Sequence, residues 1–361
     1  MVELTTAQIA ATPPLEERGR PANVAPLRGL GLGGTTRLWH NGLIQLPATA
    51  WQHWPFEADV LQPWQTAAYT LLSSTTSAHI AQAHRTLLER YGALGLARQH
   101  LGYPIYYPHR RRNLWQHLAL KQQVTLLRGE ALACNDAALG SNPRLTITPT
   151  PGVTQTLSAN AVVLAAGGLV TPVLLQPVAV EAGRGYEDHA TSFVGEVTLN
   201  PAFAKFWNFQ PTGLGGSLRL PLVVQSPLGP VAFYLRPAYH APGSQTGQRR
   251  QQLTSTLAQL RNQPFNPTLL WQLCQRADDL AEIVSLKLGV NLPTQHFSLM
   301  MIASQPGQTT VGVGGTLPQI WRNWTFDDTA LGHLEQAITA ALTLLAPLSQ
   351  EQHRYADWMQ T

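Results

Sequence analysis

The chain has 361 residues, with 24 Lys and Arg against 20 Asp and Glu, so its formal charge is +4. Charged residues make up 12 % of the chain, against roughly 25 % in typical globular proteins. This low charge argues against a disordered acidic or basic tail and against nucleic-acid binding. We expect a cytoplasmic protein without a membrane span, because the start of the chain has no signal-peptide pattern and no apolar run reaches the roughly 18 residues of a span.

Cysteine and histidine usage excludes several kinds of site. Cys134 and Cys274 lie far apart without a CxxC motif, which excludes a disulfide framework and a structural zinc site and predicts two ordinary buried thiols. The histidines form no HxH or HExxH motif, so we expect no metal site. The basic run 110–112 is typical of a solvated surface turn, and a phosphate contact is the alternative interpretation.

The first half of the chain predicts helices followed by strands. Residues 64–98 place Ile80, Ala83, Leu87, Leu88 and Tyr91 at helical spacing. Strands are predicted at 103–107, 124–127, 144–148 and 154–157.

A continuous apolar run, Ala161–Ala166, is typical of a strand buried on both faces of a parallel sheet. It leads into Gly167-Gly168, a turn where a backbone can approach a ligand closely. Thr171 and Pro172 then predict the start of a helix. We therefore expect a parallel element near residues 161–175.

The second half predicts an antiparallel sheet and three helices. The predicted strands are 191–199, 218–225 and 231–235, then a strand pair at about 296–303 and 309–313. Helices are predicted at about 248–262 and 267–288, and Asp327 and Asp328 cap a last helix. The mixture predicts an α+β protein.

A glycine cluster, Gly29-x-Gly31-x-x-Gly34, matches the letters of the dinucleotide-binding fingerprint GxGxxG. That fingerprint requires a strand before it and a helix after it. Pro26 interrupts the preceding segment, and residues 35–42 are a poor helix. The cluster is therefore not a Rossmann phosphate loop.

Residues 32–42, LGGTTRLWHNG, resemble the LGGTSxxWGG segment of the glucose–methanol–choline flavin oxidoreductase family. Further matches follow in the family's order. Residues 54–69 are similar to its WPI…DL…YY stretch, residues 161–175 to its VVLAAGGIxTPxLLL segment, and residues 183–189 to its GxNLxDH segment.

The resemblance implies an FAD-dependent oxidoreductase that acts on the CH–OH group of an alcohol or sugar and transfers hydride to the flavin. It implies a partial FAD-binding α/β domain at 1–190 with a helical insertion at about 50–100, an antiparallel substrate domain at 191–326, and a helix and tail at 327–361. The implied flavin-binding residues are Gly33, Gly34, Thr35, Thr36, Trp39, Asn41, Val124, Ala165, Ala166 and Gly167.

Two family features have no counterpart here, namely the N-terminal βαβ unit with GxGxxG and the C-terminal H…GTxRMG region that supplies the catalytic base. We therefore expect a chain that is incomplete as a single polypeptide. The alternatives are a non-catalytic ligand-binding chain, a subunit whose flavin site is completed by a partner polypeptide, or a truncated gene product.

The candidate catalytic pair is Asp188-His189. A carboxylate beside an imidazole can orient it for proton transfer. The alternative is that both side chains hold a turn by hydrogen bonds to the backbone. His40 is either near the flavin or at the surface.

Overall fold

The structure is a computed structural model, and it describes residues 15–18, 42–44, 55–73, 77–93, 95–108, 125–127, 129–135, 142–175, 177–179, 181–185, 189–207, 216–237, 245–275, 280, 295–304, 310–314, 319–323 and 327–355. The chain divides into two compact units. The first comprises residues 1–35, 114–188 and 304–331, and the second comprises 36–113, 189–303 and 332–361. The domain ranges expected from the motifs stay predictions.

The described helices are α1 (Ala58–Ser73), α2 (Ser77–Ala93), α3 (Thr171–Leu175), α4 (Pro201–Trp207), α5 (Gln245–Asn262), α6 (Pro267–Cys274) and α7 (Asp328–Leu345). The described strands are β1 (Leu15–Arg18), β2 (Leu43–Ile44), β3 (Ile105–Pro108), β4 (Glu130–Asn135), β5 (Arg144–Thr150), β6 (Val153–Ser158), β7 (His189–Leu199), β8 (Gly216–Arg219), β9 (Leu222–Ser226), β10 (Gly229–Pro237), β11 (His296–Ser304), β12 (Thr310–Gly314), β13 (Gln319–Asn323) and β14 (Ser349–Arg354). Helices thus accompany antiparallel sheets, which confirms the α+β class.

The first unit contains two three-stranded sheets. β4, β5 and β6 form an antiparallel meander. Its second turn contains Gly152 at φ +80°, a left-handed conformation that glycine adopts without a Cβ penalty. In the other sheet β13 lies between β1, to which it is parallel, and β12, to which it is antiparallel. The strands predicted at 144–148 and 154–157 are confirmed as β5 and β6.

Two strand predictions in this unit are wrong. Ala161–Ala166 carries no strand, and Val163 is 88 % exposed. An apolar run becomes a central strand only where neighbouring strands pair with it, and no strand in the described part of the first unit does so. The parallel element predicted near 161–175 is wrong for the same reason. Residues 125–127 are exposed and also carry no strand.

The second unit is built on a five-stranded sheet in the order β14-β7-β11-β10-β9. One face of this sheet is apolar, because residues two apart along a strand point to the same side. Val197 on β7, Leu299 on β11 and Phe233 on β10 are all buried on this face, where Phe233 pairs with Met301. The strands predicted at 191–199 and 231–235 are confirmed as β7 and β10.

Helix α7 covers this apolar face. Its Leu334, Ile338 and Leu345 are buried. The Gln352 side chain of β14 donates a hydrogen bond to the Leu342 carbonyl oxygen at 2.9 Å, and Gln352 lies opposite Val197 in the sheet. The predicted cap is confirmed, because Asp327 Oδ1 accepts a hydrogen bond from the Ala330 N–H at 2.7 Å.

The predicted strand at 218–225 is two strands, β8 and β9, which belong to different sheets. They separate at Leu220-Pro221, where proline lacks the N–H that a ladder needs. The segments 296–303 and 309–313 are strands, but they do not pair with each other. β11 pairs with β10, whereas β12 pairs with β13.

The remaining helix predictions are confirmed in full or in part, and one of the two cysteine predictions is wrong. Ile80, Leu87 and Tyr91 are buried, so the predicted helical face is confirmed on α2. Helix α5 confirms the prediction at 248–262, and α6 confirms the start of the one at 267–288, most of whose remainder lies outside the described residues. Cys134 is buried as predicted, whereas Cys274 is exposed, because α6 has no buried residue.

Candidate functional site

The second face of the five-stranded sheet, opposite α7, carries polar side chains. We call it the polar face. Glu196 and Thr198 on β7 alternate with the buried Val197 and therefore point to it. A hydrogen bond of 3.1 Å joins Thr198 Oγ1 to His296 Nδ1 of the neighbouring strand β11. Ser298, two residues after His296, shares this face and is fully buried.

The edge strand β14 brings an imidazole and a phenol to the polar face. His353 lies opposite Glu196 in the antiparallel register of β14 and β7. The Tyr355 N–H, two residues further on, donates a hydrogen bond to the Val194 carbonyl oxygen at 3.2 Å. The rings of His353 and Tyr355 meet edge to face, with their centroids 6.0 Å apart.

Glu196, Ser298 and Tyr355 form a cluster on the polar face. Glu196 Oε1 and the Tyr355 hydroxyl are shielded from solvent, and neither has a hydrogen-bond partner of good geometry. Burial raises the pKa of Tyr355 above its usual value, the negative charge of Glu196 and a hydrogen-bonding interaction with its side chain raise it further, and a hydrogen-bonding interaction with Ser298 opposes the shift. Buried polar atoms are normally satisfied, so this acceptor and this hydroxyl together favour a bound polar group.

A cation lies next to the cluster on strand β10. Arg236 is opposite Ser298 in the register of β10 and β11, and Tyr234 is opposite Met300. Burial and the neighbouring Tyr107 raise the pKa of Tyr234 to about 12, although the Arg236 charge opposes the shift. The polar face thus combines a carboxylate, hydroxyls, an imidazole and a guanidinium, which together can bind a polyhydroxylated molecule.

Most residues expected at the flavin lie outside the described part of the chain, namely Gly33, Gly34, Thr35, Thr36, Trp39, Asn41 and Val124. His40 and Asp188 also lie outside it. His189 begins β7 and is exposed. It precedes Glu196 by seven residues, or about 23 Å of extended strand, so it does not belong to the cluster.

The turn expected at the flavin is described, in the first unit. Gly167 has φ +85°, and no atom lies within 4 Å of the place where a Cβ would stand. The Thr171 N–H donates to the Gly167 carbonyl oxygen at 2.9 Å, and Thr171 Oγ1 accepts from the Ala166 N–H at 3.1 Å. Ala165, Ala166 and Gly167 are all exposed. This small, open, hydrogen-bonded turn fits the close approach of a planar or nucleotide ligand to the backbone.

The sequence did not predict Glu196, Arg236, Ser298 or Tyr355 as site residues. A signal existed at Glu196, since a carboxylate stands between apolar residues in a segment that alternates as a strand. Charged residues are rarely placed in such strands without a polar face to receive them. The convergence of β14 and β10 on that face is visible only in the folded chain.

Comparisons with protein-family models and with curated proteins find no match to this chain. Within the described ranges, no helix is both long and apolar enough to cross a membrane. The same part of the chain contains no group of three or more His, Cys, Asp or Glu that could hold a metal ion.

Proposed function

We propose that this chain is an oxidoreductase of the glucose–methanol–choline type, which uses FAD to oxidise the CH–OH group of an alcohol or sugar. The single observation that carries the proposal is the buried pair of Glu196 Oε1 and the Tyr355 hydroxyl on the polar face, which interact with each other but make no hydrogen bond of good geometry. The resemblance of residues 161–175 to the family's flavin-contacting segment supports it. A cytoplasmic location belongs to the same proposal.

One substrate hydroxyl satisfies both members of that pair. It has one proton to donate and two lone pairs to accept with. Glu196 Oε1 accepts its proton in a hydrogen bond, and the Tyr355 hydroxyl donates to its oxygen. The Tyr355 phenol is protonated at neutral pH and able to donate, and its raised pKa extends this to more alkaline pH. Arg236 binds a second oxygen of a polyol or sugar.

The proton of the reacting hydroxyl needs an acceptor on this chain. His353 lies opposite Glu196, and its exposed imidazole can release a proton to solvent. We assign Glu196 the role of general base in this proposal, since its Oε1 accepts the hydrogen bond that carries the proton, and His353 passes the proton on to solvent. The Ala165–Gly167 turn of the first unit is a separate part of the proposal, in which its exposed backbone would contact FAD, the cofactor that accepts hydride in flavin oxidoreductases.

The first experiment is the visible spectrum of the purified chain before and after addition of FAD and desalting. We expect a retained flavin spectrum. Gly167→Ala should weaken FAD binding by about tenfold or more, because a Cβ intrudes where the backbone meets the ligand. Gly152→Ala is the matched control. Its φ of +80° and its open surroundings are the same, so it carries equal backbone strain without a ligand.

The second experiment tests the polar face. In a screen of alcohols and sugars with a dye acceptor, Tyr355→Phe and Glu196→Leu should each raise KM by about tenfold, since each removes one hydrogen bond to the substrate. Tyr69→Phe, which alters a tyrosine buried on α1, is the control and should leave KM unchanged. Equal KM in all three variants would show that the cluster holds only an ordered water.

A second candidate function is that of a subunit whose flavin site is completed by a partner polypeptide. The exposed apolar run Ala161–Ala166 favours it, because such a segment gains stability by pairing with a strand. In hydrogen exchange, the amides of this run should exchange much faster than those of β5 in the isolated chain. A colourless protein with these fast amides would support the second candidate over the first. Protection equal to that of β5 would contradict it.

A further inference from the structure

Helices α5 and α6 form a hairpin whose tip is well ordered. The residues 263–266 connect them, and the Asn266 N–H donates to the Gln263 carbonyl oxygen at 3.2 Å. Asn266 Oδ1 caps α6 by accepting hydrogen bonds from the Thr268 and Leu269 N–H groups at 3.1 and 3.3 Å. The tip is therefore a defined shape that can present side chains to a partner.

The side chains that this tip presents are apolar and exposed. Phe265 is 90 % exposed, Trp271 65 % and Leu270 43 %. Helix α6 has the sequence PTLLWQLC, yet it contains no buried residue. A single exposed apolar residue is ordinary, but an aromatic tip followed by an uncovered apolar helix marks an interaction surface.

The same hairpin is positively charged. Residues 245–274 contain three arginines, Arg249, Arg250 and Arg261, and no aspartate or glutamate. One of them, Arg261, is exposed in the last turn of α5, four residues before Phe265. The whole chain carries only 24 basic against 20 acidic residues, so this segment is distinctly more basic than the rest.

We propose that this hairpin tip binds the surface of an anionic lipid bilayer. Trp and Phe side chains prefer the interface between headgroups and acyl chains, and arginine binds lipid phosphates. Interfacial elements place their apolar side chains about 5–10 Å deep, at the boundary between headgroups and acyl chains. The contact is peripheral, and it is independent of the proposed oxidoreductase function.

The charge of the surface favours lipid over a second copy of the chain as the occupant. Two copies meeting through this tip would bring Arg261 of each copy together without an acidic partner on the hairpin. An anionic bilayer supplies both the apolar layer for Phe265 and Trp271 and the negative charge for Arg261.

The test is co-sedimentation of the full chain with vesicles at about 0.1 M salt. The chain should bind vesicles of phosphatidylcholine with phosphatidylserine and not vesicles of phosphatidylcholine alone. Trp271→Ser should weaken binding by about tenfold or more, since an aromatic side chain is no longer removed from water. Arg261→Gln should weaken it by about fivefold, and added salt should weaken it further.

Trp64→Ser is the matched control. Trp64 is 73 % exposed on α1, a helix that contains Asp59 and no lysine or arginine. This variant should bind the anionic vesicles as the parent chain does. An equal loss in Trp64→Ser, or no binding of the parent chain to anionic vesicles, would overturn the proposal. A dimer in light scattering that Trp271→Ser converts to a monomer would overturn it in favour of a second copy.

Discussion

Gly195 on β7 lies so close to β14 that a Cβ built on it would stand 2.6 Å from the carbonyl oxygen of His353. No side chain can occupy that position without moving the backbone of β14. The close approach sets the edge strand against β7 at the point where His353 faces Glu196 and where Tyr355 follows. The geometry of the candidate site therefore depends on this glycine.

Gly195→Ala should lower the free energy of unfolding by about 1–3 kcal/mol, because the added methyl group pushes β14 away from the sheet. Gly332→Ala is the control, since no atom lies within 4 Å of its Cβ position and it stands inside α7. There alanine should stabilise the helix by up to about 1 kcal/mol. Urea denaturation of both variants measures the two effects. Equal stability of Gly195→Ala and the parent chain would contradict the contact.

Helix α7 should depend on its N-cap. Asp327→Ala removes the acceptor for the Ala330 N–H and should cost about 1 kcal/mol of folding free energy. Asp327→Asn keeps an acceptor oxygen and should cost only a fraction of that. Thermal unfolding of the two variants gives the comparison. Equal losses in the two variants would show that the charge of Asp327 rather than its cap hydrogen bond stabilises this end.

The protein should lose stability in alkali. Burial raises the pKa of Tyr234 from 10.0 to about 12, so the folded state keeps this proton at pH values where the unfolded state has lost it. The unfolded state then binds fewer protons, and the free energy of unfolding falls as the pH rises from about 10 to 12. Tyr234→Phe should make that fall shallower. Denaturation midpoints between pH 9 and 12 measure it, and an unchanged slope in the variant would contradict the burial.

The two cysteines should differ in reactivity. Cys274 is exposed and Cys134 is buried in β4. A thiol reagent should label Cys274 within minutes in the native protein and reach Cys134 only when the first unit opens. Cys274→Ser should therefore abolish the fast phase and leave the slow one. A fast phase that survives in this variant would show that β4 opens readily.

The sequence predicted well those elements whose burial pattern is local. Helix α7 was predicted from its apolar spacing and its aspartate cap, and β5 and β6 were predicted from alternation. In a strand every second residue faces the core, and in a helix every third or fourth residue does. Each element forms because these residues become buried. The strand predicted at Ala161–Ala166 was wrong. A fully apolar run indicates burial on both faces, but it does not identify the neighbouring strands that would bury it.

The residues of the candidate site were likewise predictable only where they lie close together in the sequence. The turn at Gly167 was predicted as a ligand contact because glycines after an apolar run and before Thr171-Pro172 form a motif within a few residues. Glu196, Ser298 and Tyr355 were not predicted as ligand contacts. Glu196 stands 102 residues before Ser298 in the chain, and Ser298 stands 57 residues before Tyr355. No local pattern connects residues that far apart.

By itself the sequence determined the α+β class, the start of α3 and α7, and the strands whose side chains alternate. These depend on interactions between residues close together in the chain, which short-range sterics and capping control. Only the tertiary structure decided that β11 and β12 lie in different sheets, that Ala161–Ala166 remains unpaired, and that three distant polar side chains meet on one face. Strand pairing and burial are set by the free energy of the whole packed arrangement, which no segment of the sequence carries alone.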